Sequence, residues 1–185
     1  MLLAHLRTLA RANLLANRRL HSACLQLTDG ELAAPRTGFF PSLRATLNHI
    51  LIVDWYYVAA LHGEADMRKA FVDEEPFDGM EALATAQRTC DLRLVAWCES
   101  ADDTALTTAV AMDRGATIQR DLAQHVLLHL FTHQIHHRGQ AHAMLSGTRV
   151  APPQLDKFLM PSEAHYRVAD LAAVGWTERD LFGKP

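Results

Sequence analysis

The stretch His129-Leu130-Phe131-Thr132-His133-Gln134-Ile135-His136-His137-Arg138-Gly139-Gln140 sets four histidines within about three helical turns. Helical residues are offset by about 100°, so His133 and His137 lie roughly 40° apart, one turn above the other. His129 sits a turn earlier on the same side. Imidazoles stacked in this way can converge on one cation, because neutral ring nitrogens bind zinc or nickel at about 2.0–2.1 Å. One helix supplies two such ligands, and a third must come from elsewhere in the fold.

Working outward, the pattern extends from about Thr117 to Leu145 and stops at Ser146-Gly147, where glycine suits a left-handed helix end. Three more long helical patterns precede it. The first runs from about Leu2 to Leu27 and ends at a Thr28-Asp29-Gly30 turn signal. The second follows Pro41-Ser42, with Ser42 as its cap, and continues through LNHILIVDWYYVAALHG to Gly63. The third covers about Gly79 to Glu99. Residues 64 to 78 are acidic and proline-containing and read as a loop. The segment TALTTAVAMDRGATIQ alternates weakly around Asp113-Arg114-Gly115 and reads as either a hairpin or an irregular crossover. Beyond Pro152-Pro153, residues 154 to 183 predict one or two short helices around Leu171 and Leu181. Four long amphipathic segments with little strand signal predict an all-α fold, a four-helix bundle with short C-terminal helices. The length, 185 residues, suits one domain spanning 1–185.

Composition narrows the function. A formal charge of −3 offers no broad attraction to nucleic acid or anionic lipid. Arg7, Arg11, Arg18 and Arg19 lie in the first segment without interleaved aromatics, so a solvated outer face is expected rather than a nucleic-acid surface. The same arginine-rich, acid-free start resembles an organellar leader, but the bundle needs it as a first helix. No apolar run reaches the ~18 residues that span a bilayer. Cys24, Cys90 and Cys98 lack metal spacing and read as reduced thiols of a cytoplasmic protein. Of eleven histidines, five fall between His125 and His137, which marks that helix as the chemical one.

Around His133, the positions Val126, His129, His136, His137, Gln140 and Met144 fall within roughly 60° on one face. Burying several imidazoles without partners costs about 1–3 kcal/mol per group, a cost that a bound cation removes. His142 points the other way, toward solvent. The third ligand is sought on the second helix, where His49 shares an apolar face with Ile52, Val53 and Tyr56. Asp54 lies about 140° from His49, a poor ligand, and reads either as a group able to orient a histidine or pair with Arg138 or as a solvated or capping carboxylate. Trp55, Tyr56 and Tyr57 belong to the core or to a pocket wall. His133 to His137 has the spacing of the zinc peptidase motif HExxH, yet Gln134 occupies the position of its glutamate. An amide takes no proton from metal-bound water, which argues against a peptidase.

The string HLFTHQIHHRGQAHAML, with PPQLDKFLM and the late Gly175-Trp176, resembles the DinB/YfiT-like family. NHILIVDWYY and ARANLLANRRL resemble that family's second and first helices. The resemblance implies a bundle with long crossover connections, a homodimer, and a divalent metal, nickel or zinc. Carried onto this chain, the implied ligands are His49, His133 and His137, with His129, His136, Arg138 and Gln140 at motif positions of undefined role. It also implies low-molecular-weight thiols such as bacillithiol, mycothiol or glutathione as cofactors of some relatives.

Three functions compete. The first is a metal-dependent transferase or isomerase in which a thiol, deprotonated by the cation, attacks a small electrophile. Arg138 then either binds a cofactor carboxylate or makes a structural ion pair. The second is metal-assisted hydrolysis, which lacks an evident carboxylate base. The third is a non-enzymatic, stress-related protein binding a metal or small molecule. A structural site is closed by four protein ligands, with His129 or His136 as the fourth, whereas a catalytic one stays open.

Overall fold

Apolar positions recurring at helical spacing fold into four long helices in the computed structural model, which describes residues 1–183. They are α1 (Leu2–Cys24), α3 (Leu43–Leu61), α4 (Met80–Ser100) and α6 (Ala123–Leu145), with a short α2 (Asp29–Ala33) after the first and α5 (Asp103–Thr107) after α4. Helix α1 packs on α4 and α6, and α3 packs on the same two, so α1 and α3 face each other across the diagonal. The helix most enclosed is α3, where sixteen of nineteen residues are buried. Apolar side chains all round a helix require neighbours all round it.

Directions follow from side-chain contacts. Asn48 meets Phe77, Asp54 meets Gln87, and Trp97 donates to the Leu61 carbonyl, so α3 and α4 run parallel. Parallel neighbours need a connection that returns the length of the bundle. Residues 62 to 79 make it, including a 3-10 turn at Met67–Phe71. Helices α1 and α4 are antiparallel, as are α3 and α6. This is the predicted all-α bundle with long crossovers.

Several boundaries differ from expectation. The Thr28-Asp29-Gly30 signal is not a turn but the start of α2, because Thr28 and Glu31 form a reciprocal capping box. The weakly alternating segment is a hairpin, β1 (Ala109–Asp113) with β2 (Ile118–Leu122), so α6 begins at Ala123 rather than Thr117. Val110 and Met112 supply its buried side, and Gly115, at φ +86°, makes the turn. Gly63 takes the left-handed conformation after α3, whereas Gly147 does not, and the last turn of α6 closes through hydrogen bonds to Met144 and His142 carbonyls.

The C-terminal part folds as α7 (Val168–Val174) and α8 (Glu178–Phe182), the short helices expected there. Phe158, Leu171 and Leu181 pack on Leu14 and Leu15 of α1. The α1 arginines are therefore not a solvated face. Arg7 donates to the carbonyls at the end of α4, Arg11 to Leu181, and Arg19 binds Asp170 at 2.6 Å. They satisfy orphan helix-end carbonyls and clasp the C-terminal segment. No helix is long and apolar enough to cross a membrane among the described residues.

Candidate metal centre

His49 enters from the second turn of α3 and His133 and His137 from the middle of α6, and antiparallel packing brings them level. One ring nitrogen from each lies within 4.8 Å of the others. The His49 and His133 Nε2 atoms are 3.1 Å apart. Two ring nitrogens that close cannot both point lone pairs at each other without a proton or a cation between them. Burial is the largest cause holding His49 at about 4 and His133 at about 3, and it lowers His137 as well. All three are thus neutral near pH 7, with lone pairs free to ligate, and the donor set fits a divalent ion of the zinc or nickel kind.

The surroundings select a tautomer for one of the three rings. Gln140, one turn beyond, accepts from His137 Nδ1 at 2.8 Å, leaving Nε2 as the lone-pair atom. Its amide nitrogen reaches His136 Nε2 at 3.1 Å, so Gln140 stands between the two rings. His133 Nδ1 is buried without a partner and its Nε2 meets His49 Nε2, so no protein group outside the cluster defines its tautomer. A cation at Nε2 would do so. Phe40, from the loop before α3, lies 4.3 Å from the His49 ring and covers the cluster on one side.

The remaining predicted residues lie apart from the cluster. His129 and His136 are exposed, and neither joins the three within ligand distance. His129 instead stacks 6.3 Å from His133 and 4.9 Å from Tyr57. Tyr56 is a core residue whose hydroxyl donates to the Asp113 carbonyl at 2.7 Å, which ties α3 to the hairpin and not to the histidines. His142, expected in solvent, bonds the Pro153 carbonyl.

Asp54 is neither solvated nor a histidine's partner, nor does it contact Arg138. It is buried and accepts from Gln87 at 2.6 Å and from Gln134. Arg138, also buried, donates to Asn13, Asn17 and Gln134, so it serves no incoming ligand. Asn17 and Gln87 in turn bind Asp91. A polar layer thus joins all four long helices beside the histidines. Desolvation pushes Asp91 up to about 6 and Asp54 well above the usual carboxylate range, while Arg138, though lowered to about 10, stays charged. Near neutral pH the layer carries Asp91⁻ against Arg138⁺, and burial favours the neutral form of Asp54. Its sequence signal is the i,i+4 polar pair repeated on three helices: Asn13/Asn17, Gln87/Asp91 and Gln134/Arg138.

A four-helix bundle presenting three convergent imidazoles defines the class of this protein. The profile of the DinB family matches residues 2–168, and the chain belongs to that family. It is 28% identical over 129 residues to a Bacillus subtilis (strain 168) protein named uncharacterized protein YizA, covering 70% of this chain and 79% of that one. Its fold is similar to the crystal structure of a DinB-like protein from Bacillus cereus ATCC 10987, with a TM-score of 0.57 at 19% identity, over 75% of this chain and 89% of that chain.

Proposed function

We propose that this protein is a metal-dependent enzyme of the thiol-dependent transferase or isomerase type, acting on a small electrophile. The observation that carries the proposal is a three-histidine cluster with no fourth protein ligand within reach among the described residues. Closed structural sites use four protein ligands, and three leave room for an exchangeable one. A divalent ion held there, nickel or zinc, would supply the acidity that deprotonates a bound thiol at neutral pH. The chain's own part is to present neutral imidazoles, to fix the His137 tautomer through Gln140, and to shield one side with Phe40. Its three cysteines are buried and unpaired, and burial pushes the Cys24 and Cys98 thiols up to about 12, so the nucleophile comes from outside the chain.

Hydrolysis is the weaker alternative because no carboxylate joins the cluster, and Asp54 is committed to two amides. A binding protein without catalysis is favoured by no particular feature of the site. The proposal places the protein in the cytoplasm, as a homodimer.

The test is elemental analysis of protein purified without an affinity tag, followed by assays of electrophile conjugation with and without glutathione, bacillithiol or mycothiol. We expect one divalent ion per chain and turnover that needs both the ion and a thiol. Turnover undiminished in metal-free His133→Ala protein would overturn the mechanism. Turnover of esters or amides independent of thiol would favour hydrolysis.

A further inference from the structure

Beside the histidine cluster, toward the N-terminus of α6, lies a cavity of about 300 Å³ whose polar lining includes Tyr57, Arg114, Gln119, Asp121, His125 and His129. Arg114 comes from the hairpin turn. Its Nη2 donates to the Tyr57 hydroxyl at 3.0 Å and its Nε to Gln119 Oε1 at 3.0 Å. The amide nitrogen of Gln119 donates to Asp121 at 2.6 Å. One glutamine therefore holds a guanidinium on one side and a carboxylate on the other. Arg114 forms no ion pair with any carboxylate among the described residues, and neither does Asp121 form one with a cation. Both charges are thus held by one neutral amide and neither is neutralised by an opposite charge, which leaves each able to take its counter-charge from a guest carrying both signs.

We propose that this cavity binds the free α-amino-acid end of a ligand, its carboxylate on Arg114 and its ammonium on Asp121, with the other end at the three-histidine centre. His125, His129 and His133 rise along one side of α6 at intervals of four residues, and from 125 to 133 the helix climbs about 12 Å. The thiol of a γ-glutamyl peptide sits on its second residue, and the extended chain from the glutamyl α-carbon to that sulfur covers about 9 Å. The ligand class is therefore a peptide-sized thiol with a zwitterionic terminus, of which a γ-glutamyl peptide such as glutathione is the simplest case. His125 and His129 are exposed along the path, where they can hydrogen-bond peptide carbonyls. The inference rests on the thiol reading above for what occupies the metal end, but its own evidence is the cleft.

The experiment titrates zinc-loaded protein calorimetrically with S-methylglutathione, which has no free thiol, and with its N-acetyl derivative, which has no ammonium. Arg114→Gln and Asp121→Asn are compared with the parent, with zinc content and circular dichroism confirming intact protein. We expect the parent to prefer S-methylglutathione by at least about tenfold, the equivalent of one charged hydrogen bond, and each variant to lose that preference. Equal binding of the two probes, no binding of either, or variants within twofold of the parent would overturn the subsite. Glutathione-dependent turnover indifferent to both substitutions would likewise overturn it and leave the proposed function standing. S-methylglutathione binding that needs both residues, in protein without thiol turnover, would support the subsite and count against the thiol reaction.

Discussion

His137 shows how little chemistry separates a potential metal ligand from an ordinary core histidine. Its ring carries the proton on Nδ1 because Gln140 accepts there at 2.8 Å, so the lone pair faces His49 and His133. Removing the acceptor while keeping the shape isolates that effect. Gln140→Leu should weaken zinc binding about 10–100-fold, the usual cost of losing such an outer partner, with no change in fold. Competition against a chromophoric chelator measures it, and unchanged affinity would mean that the ring keeps its orientation without help. His133→Ala, by contrast, removes one of the three clustered imidazoles and should leave the protein without stoichiometric metal by elemental analysis. At this scale much of the cluster was legible in the sequence: the His133/His137 spacing is a property of the helix, and His49 followed from an imidazole on an apolar face. The exposed positions of His129 and His136 were not legible. Angular proximity to His133 says which face a residue shares, but not where along that face the neighbouring helix ends its cover.

Among the helices, the polar layer beside the three-histidine cluster couples elements that apolar packing alone would leave free to slide. Arg138 on α6 donates to Asn13 and Asn17 on α1 and to Gln134, which meets Asp54 on α3, and Asp91 on α4 completes the circuit. Buried charge is costly when its counter-charge is removed, typically about 3–5 kcal/mol. Arg138→Met should therefore destabilise the protein by roughly that amount in urea denaturation, because Asp91 is left buried and uncompensated. A loss under about 1 kcal/mol would mean that the layer neutralises itself by proton uptake instead. The pairs at i,i+4 were visible in the sequence, but each taken singly resembled a solvated helix edge. Only the helix order, α1 and α3 across the diagonal, reveals that the pairs face one another. The four long helices were readable because apolar periodicity is a local property. Locally weaker signals lost to pairing: residues 118–122 carry some helical pattern but satisfy their backbone against β1.

For the molecule as a whole, these buried groups impose a dependence on pH whose sign can be worked out. His21, His49 and His133 are held near 4, 4 and 3 in the fold, against 6.5 when unfolded. Between those values the unfolded chain binds protons that the folded one refuses, so stability falls as pH drops from 6.5 toward 4. His21 is wholly enclosed, and its share is about 3 kcal/mol. Asp91 acts the other way. Its folded value of about 6 exceeds the unfolded 3.8, so it favours the fold as pH falls from 6 to 3.8, and Asp54, raised well above 3.8 by the same burial, acts in the same direction, so that two of the three histidines are offset there. The net expectation for metal-free protein is a urea midpoint that declines from pH 7.5 to pH 5. Saturating zinc should make the decline steeper, because the ion binds only the unprotonated cluster and its stabilisation disappears with protonation. His21→Leu removes a titrating group outside the three-histidine cluster and should flatten the metal-free curve by about one proton's worth without altering the zinc increment at pH 7.5. A midpoint that holds constant or rises on acidification would mean that the carboxylates of the polar layer, and not the buried imidazoles, govern the acid limb.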